Sequence, residues 1–366
     1  MVKRSTRENL ALHTAPPALS ASAAQLRYVR HFTIGIERIG KRNFRYRLEG
    51  KRIRNRETLK RIAQLAIPPA WTNVWICPYA NGHLQATGVD AKGRKQYRYH
   101  NDWSTVRSET KFAHIQEFGK QLVGMRKRIT AHLRLPGLPK EKVMAAVVSI
   151  MDRTQIRVGH YAYAKENGTF GLSTLLDKHV KTDGAGVRFE FKGKTGVRHS
   201  IRLGSSHLSK LVQRCKDLPG QDLFQYVDEH GEARPIDSGM VNDYIRSITA
   251  GRFTSKDIRT WKGTVHCMRA LQGAPPAPTQ TKQRQQINEA LDAVARQLGN
   301  TRSVCRKYYV HPQVIEAYSA NALVGLNGRG RASRSLSPEE RSVLRLLARP
   351  PARAAKGEGI LVLKAA

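Results

Sequence analysis

The chain has 366 residues, 40% of them hydrophobic, enough to bury a sizeable core and to divide into two domains rather than one. Its 64 Lys and Arg against 28 Asp and Glu leave a formal charge of +36 spread along the chain, a field that attracts polyanions, nucleic acid above all. The four cysteines, Cys77, Cys215, Cys267 and Cys305, are far apart and form no CxxC pair, which argues against a zinc site and against a disulfide framework and reads as reduced thiols.

No run of about 18 apolar residues occurs, and no apolar stretch follows Lys3, Arg4 and Arg7, so neither a membrane span nor a signal peptide is supported. The expected compartment is the cytoplasm or nucleoid. Charge alone does not say enzyme, because packaging proteins carry the same signature.

In chain order, residues 1–24 are rich in Ala, Ser and Pro and read as a disordered arm. From about Tyr28 to Trp103, apolar or aromatic residues alternate with basic ones, as in Phe32–Ile36 and Phe44–Leu48, which predicts a small β-rich domain over 25–104 with one helix at 56–66. Thereafter the period becomes helical, because Ile115, Phe118, Leu122, Met125, Ile129 and Leu133 fall at steps of three or four on one face.

A second helix follows Pro139 towards Arg157. Residues 187–201 read as a β-hairpin about a Gly193-Lys-Thr-Gly196 turn. Helices then dominate to about residue 322, broken by the Pro-rich linker 274–278, with Ile287, Leu291, Val294 and Leu298 on one helix that Gly299 stops. Residues 105–323 thus form a larger, mainly helical domain with a small hairpin or sheet. The fold class is α+β, and 324–366 read as a basic flexible tail. No internal repeat is seen.

Without a metal, arginine is the natural group to stabilise a phosphoryl transition state, since its fork donates to two oxygens and keeps its charge. Arg157 lies in Gln-Ile-Arg-Val-Gly-His160, Arg259 in Lys-Asp-Ile-Arg-Thr-Trp261, Lys194 at the hairpin tip, and Tyr309 in Arg306-Lys-Tyr-Tyr-Val310. Taken singly, each has a bland alternative: a solvated helix-end arginine for the first two, a turn lysine, and a core aromatic beside basic surface.

Their combination resembles the type IB DNA topoisomerase family in its short, poxvirus-like and bacterial form, from about Tyr28 to Leu323. The matching segments are Arg157-Val-Gly159, Lys165-Glu-Asn-Gly-Thr-Phe-Gly-Leu172, Lys194 in Gly-Lys-Thr-Gly, Lys256-Asp-Ile-Arg-Thr260, and Gly299-Asn300 nine residues before Tyr309. Gly93-Arg-Lys-Gln-Tyr-Arg-Tyr-His100 resembles the family strand that enters the major groove.

The resemblance implies that Tyr309 attacks phosphorus to give a 3′-phosphotyrosyl link and a free 5′-hydroxyl, with Arg157 and Arg259 on the non-bridging oxygens. Lys194 would protonate the leaving oxygen, and Asn300, where much of the family has His, would donate a hydrogen bond to phosphate. It places Gln96, Tyr97, Tyr99 and Arg94 of one domain, and Lys165, Asn167 and Thr169 of the other, on double-stranded DNA. It further implies a monomer that clamps the duplex, relaxes supercoils, and needs no metal, ATP or other cofactor.

The nearest rival, a tyrosine recombinase, shares the Arg, Lys, Arg, Tyr set but has His three residues before the second Arg, where this chain has Lys256. The rival of another class is a basic packaging protein in which Tyr309 is structural.

Overall fold

The computed structural model describes residues 21, 22, 24–30, 33–40, 43–91, 93–251, 253–323, 326 and 335–349. They fall into two compact units, divided between His114 and Ile115 and therefore later than the boundary expected near residue 104.

In the first unit, an antiparallel sheet runs in the order β3-β2-β1-β4-β5-β6, with β1 at Ile36–Ile39, β2 at Arg45–Leu48, β3 at Lys51–Arg52, β4 at Thr72–Ile76, β5 at Leu84–Val89 and β6 at Lys95–Tyr99. Helix α1, Arg56–Gln64, sits where the sequence predicts it and is capped by Asn55, whose Oδ1 accepts from the Thr58 amide at 2.8 Å. Ile62 of this helix packs with Ile36, Val74, Ile76 and Ala86 of the strands.

The boundary moved because the helical pattern starts earlier than the apolar stripe that announces it. Helix α2 spans Asn101–His132, and Trp103 and Val106 near its start are buried against Ala21, Ala24 and Leu26. Ala21 and Ala24, read from sequence as part of a disordered arm, are therefore core residues; the rest of that arm, Ser22 apart, lies outside the described residues.

In the second unit the predicted face of α2 is buried: Ile115, Phe118, Leu122 and Met125 are fully enclosed and Ile129 nearly so. Helix α3, Lys140–Thr154, is buried around its whole circumference from Val143 to Met151, with Ser149 as the one polar residue there, and runs through the middle of the core. Then come α4 (Tyr161–Asn167), the strands β7 (Val180–Thr182), β8 (Gly186–Lys192) and β9 (Arg198–Gly204) in one antiparallel sheet, and α5 (Ser206–Lys216).

The predicted hairpin is the β8–β9 pair. A small antiparallel pair, β10 (Gln225–Val227) with β11 (Ala233–Pro235), interrupts the stretch that the sequence gives to helices. Helices α6 (Ser238–Ile248), α7 (Ser255–Gln272), α8 (Gln280–Leu298), α9 (Arg302–Tyr308) and α10 (Pro312–Ser319) follow. The Pro-rich linker separates α7 from α8.

The reading of 324–366 as a flexible tail does not hold for its middle. Residues 338–348 form helix α11, capped by Ser337 and Glu340 in a reciprocal capping box, with Val343, Leu346 and Leu347 buried. The arginines that make this segment look like tail lie among apolar residues at helical spacing. Glu340, 2% exposed, sits in a charge network: Arg126 Nη2 donates to its Oε1 at 2.8 Å, Lys262 Nζ at 3.1 Å and Trp261 Nε1 at 3.3 Å. Asp152 shares both cations, 2.9 Å from Arg126 and 3.1 Å from Lys262.

Burial by itself raises the Glu340 carboxyl, but the hydrogen bond from Arg126 and the charges of Lys262 and Arg126 outweigh it and hold the group at about 2. A depressed folded-state value stabilises above the unfolded value of 4.5 and is lost as pH falls towards 2. This linkage amounts to on the order of 3 kcal/mol at neutral pH. Urea unfolding at pH 7 and pH 3 should show that loss in the wild type and a smaller one in Glu340→Gln. Truncation before residue 335, which leaves Arg126 and Lys262 facing one carboxylate, should cost about 3–5 kcal/mol; equal pH responses of wild type and variant would remove Glu340 from this role.

Candidate active site

Four of the five predicted catalytic residues converge where helices end. Helix α3 terminates at Gln155, a non-glycine in the left-handed region (φ 58°), and α8 terminates at Gly299 (φ 59°). The last carbonyls of a helix lack intrahelical donors and carry its partial negative charge.

Here they hold arginines. Arg259, in the second turn of α7 and 5% exposed, donates through Nη1 to the Gln155 carbonyl and through Nη2 to the Leu298 carbonyl at 2.6 Å. Arg157 donates through Nη2 to the Gly299 carbonyl at 2.9 Å and to Asn300 Oδ1 at 2.8 Å. Among the described residues neither guanidinium is paired with a carboxylate; their partners are neutral oxygens. Arg259 Nε is buried with no hydrogen-bond partner. Burial, then the like charge of Arg157, holds the Arg259 guanidinium below the usual arginine value, and burial does the same to Arg157.

Arg157 is fixed by a close meeting of two backbones. The Leu172 amide donates to the Arg157 carbonyl at 2.9 Å and the Ser173 amide to the Val158 carbonyl at 2.6 Å. A Cβ on Gly171 would stand 2.5 Å from the Gly159 amide nitrogen, and Gly159 itself has φ +95°. The glycines after the arginine and before Leu172 in the sequence motif are thus a steric requirement for placing Arg157.

Tyr309 stands just past α9, with φ −130°, rather than within a helix, and the Arg259 guanidinium lies 5.5 Å from its ring centroid. Its backbone packs on α7, where a Cβ on Gly263 would come 2.6 Å from the Tyr309 carbonyl. Tyr308 is 43% exposed with Lys307 over its ring, so the structure distinguishes the two tyrosines as the nine-residue spacing does. Asn300 Oδ1 accepts from Arg157 and its amide nitrogen donates to the Leu298 carbonyl at 3.5 Å, which leaves one N–H for another group.

Lys194 is exposed at the hairpin tip, in a turn where Thr195 adopts φ 62°, and with Gly193 and His199 at the hairpin base it lines a small cavity that Arg157 and Arg259 also line. Near that base stands a residue that no sequence motif singles out. His199 on β9 points into the arginine site, and burial, then the charges of Arg157 and Arg259, hold its imidazole below the usual histidine value. The available signal was its place five residues after Lys194, cross-strand from Phe191.

The remaining predicted residues are surface groups. Lys165 and Asn167 are exposed on α4, and Thr169 follows it, donating from Oγ1 to the Tyr163 carbonyl at 3.3 Å. In the first unit, Tyr97 and Tyr99 on edge strand β6 are stacked at 6.1 Å and each 44% exposed. Gln96 Nε2 and Arg94 Nε both donate to Asp90 Oδ2 at 2.9 Å, so neither side chain hangs free.

Comparison with known proteins identifies the family. The model of a family described as eukaryotic DNA topoisomerase I, catalytic core, matches residues 96–324, and that of the bacterial DNA topoisomerase IB N-terminal domain matches 43–90. The DNA topoisomerase 1B of Acanthamoeba polyphaga mimivirus is 31% identical over 301 residues, covering 80% of this chain and 90% of that protein. The DNA topoisomerase 1 of rabbit fibroma virus is 23% identical over 63% of this chain and 70% of its own, and the DNA topoisomerase 1B of vaccinia virus (strain Copenhagen) 27% over 39% and 46%.

The chain belongs to the type IB DNA topoisomerase family, and is an enzyme that acts on DNA. Membership decides against the recombinase and packaging alternatives. No helix among the described residues is long and apolar enough to cross a membrane.

Arg259→Lys replaces a fork seated on two carbonyls by a single ammonium. Strand cleavage should slow by about a hundredfold or more while duplex affinity changes less than about threefold. Single-turnover cleavage and a binding titration check this; a parallel loss in both would place Arg259 in binding instead.

Proposed function

We propose that the enzyme relaxes supercoiled duplex DNA by cutting and resealing one strand through Tyr309, without ATP or a metal ion. The Tyr309 oxygen attacks phosphorus, the bond to the 5′ oxygen breaks, and Lys194 supplies the proton that the leaving oxygen takes up, giving a 3′-phosphotyrosyl link and a 5′-hydroxyl. Arg157 and Arg259 hold the non-bridging oxygens where charge develops, and the Asn300 amide adds a donor. Rotation of the freed strand relaxes the duplex, and the reverse reaction reseals it. The link conserves the phosphodiester energy, so no ATP is consumed.

The observation that carries this reading is the pair of arginines seated on helix-end carbonyls, with Arg259 Nε unpartnered beside Tyr309. A cation satisfied by a carboxylate has little charge left for phosphate; one held by neutral dipoles keeps it. Arg94, Gln96, Tyr97 and Tyr99 from the first unit and Lys165, Asn167 and Thr169 from the second would contact the duplex. The protein would work as a monomer in the cytoplasm or nucleoid, where its charge of +36 meets DNA.

Wild type should relax supercoiled plasmid in EDTA without ATP, and detergent should trap protein on the 3′ end of the nick; Tyr309→Phe should bind DNA and do neither. Relaxation by Tyr309→Phe would move the nucleophile elsewhere, and a requirement for metal or ATP would sink that part of the mechanism. Since many phosphate contacts release counterions, log affinity should fall steeply and linearly with log salt. A salt-insensitive affinity would contradict the broad phosphate-contacting surface.

A further inference from the structure

The ring of His199 is boxed in on three sides. It stacks on Phe191, its cross-strand partner, with centroids 5.0 Å apart and planes 24° from parallel. A Cβ on Gly193 would meet its Cδ2 and Nε2 at 2.6 Å, and a Cβ on Gly299 would meet its Cε1 at 3.2 Å and Nε2 at 3.6 Å. The same hypothetical Gly299 Cβ lies 3.5 Å from Arg157 Nη1. Gly193 precedes the hairpin lysine and Gly299 precedes Asn300. One flat ring therefore fills the space between the residue before Lys194 and the residue before Asn300, and each neighbour is a glycine.

Among the described residues no hydrogen bond reaches this imidazole, so it is held by shape rather than by a partner. The hairpin is otherwise tied near this point by the Phe170 amide, which donates to the Lys192 carbonyl at 2.8 Å, and by the Gly193 amide closing the turn on the Val197 carbonyl at 2.7 Å. Neither bond touches α8 or the turn after it. The His199 ring is what stands between the hairpin base and that turn.

We propose that His199 is a positioning residue that seats the Lys194 hairpin against the Gly299–Asn300 turn, and so sets where the proton donor stands relative to the arginine-held phosphate. This rests on the reading of Lys194 as the group that protonates the leaving 5′ oxygen. Removing the ring leaves a gap between Gly193 and Gly299 into which the hairpin can shift. Adding a methyl at Gly193 pushes against a ring that Phe191 and Gly299 prevent from retreating. Both changes misplace Lys194 while leaving Arg157 and Arg259 on their carbonyls.

A leaving group that needs no proton isolates this effect. With sulfur in place of the 5′ bridging oxygen, the Tyr309 oxygen still forms its bond to phosphorus, but the P–S bond breaks with its electron pair leaving on sulfur as thiolate, because a thiol ionises at about pH 8.5 and departs unprotonated. Single-turnover cleavage of a nicked duplex carrying oxygen or sulfur at the scissile 5′ position is the test, with wild type, His199→Ala, Gly193→Ala and Lys194→Ala.

The expected result is that both His199→Ala and Gly193→Ala cleave the oxygen substrate at least about tenfold more slowly than wild type, and the sulfur substrate within about threefold of it, as Lys194→Ala does. Wild-type rates on oxygen for both variants, or an equal slowing on both substrates for both, would overturn the proposal. Should His199→Ala alone be slow on both substrates, Gly193→Ala decides between the two outcomes. If wild type itself forms no adduct on either substrate, the proposed function has failed; if Lys194→Ala is slow on both, the role of the lysine has failed. Both results are distinct from failure of His199 alone.

Discussion

The site rests on one electrostatic arrangement: two guanidinium groups brought near each other and held by the carbonyl ends of two helices. Like charges in a buried place repel and lose hydration, and both effects press Arg259 towards its neutral form. A carboxylate would relieve this and would also cancel the charge that a phosphate needs. Carbonyls at helix ends are a middle course, since their partial charge stabilises the cations while leaving a net positive field. Gln155, Leu298 and Gly299 supply that set, and the positions of α3 and α8 in the core follow from it.

The rest of the second unit serves that placement. Helix α3 is buried almost end to end, so the carbonyl of Gln155 at its terminus cannot drift. Helix α7 carries Arg259 and is gripped from its other side, where Trp261 and Lys262, two and three residues further on, meet Glu340 of α11. Glu340 and Asp152 meet Lys262 on that far side, whereas among the described residues no carboxylate pairs with Arg157 or Arg259. The unit thus separates a neutralised charge network that stabilises the helix from an un-neutralised pair of arginines at the proposed site.

Much of this was legible in the sequence. The stripe from Ile115 to Ile129, the hairpin about Lys194 and the helix stopped by Gly299 are periodic or punctuated patterns, and the structure has each of them. The five proposed catalytic positions were visible only as a combination with family spacing, because an arginine at a helix end carries no local mark of function. Apart from the Asn300 side chain, the partners of those arginines were not visible, since backbone carbonyls have no residue identity.

His199 stayed hidden for a related reason: on an alternating strand it reads as one more half-buried residue, and only the glycines at 193 and 299 reveal what it fills. Helix α11 was lost among arginines, where composition outweighed a stripe made by Val343, Leu346 and Leu347. The domain boundary slipped because Trp103 and Val106 join α2 to a core in which Ala21 and Ala24 look like part of a disordered arm.

The departure at Asn300 can be understood from the same electrostatics. An imidazolium there would be a third cation beside Arg157 and Arg259, the first of which already depresses the second, and the His199 ring, held below its usual value, lies within the same field. An amide adds a hydrogen-bond donor without adding charge. Its oxygen also gives Arg157 an acceptor at 2.8 Å, which an imidazolium, with donors on both nitrogens, does not offer. The asparagine therefore fixes the arginine and orients its own donor in one contact, so the substitution changes how the site is held as well as how much charge it presents.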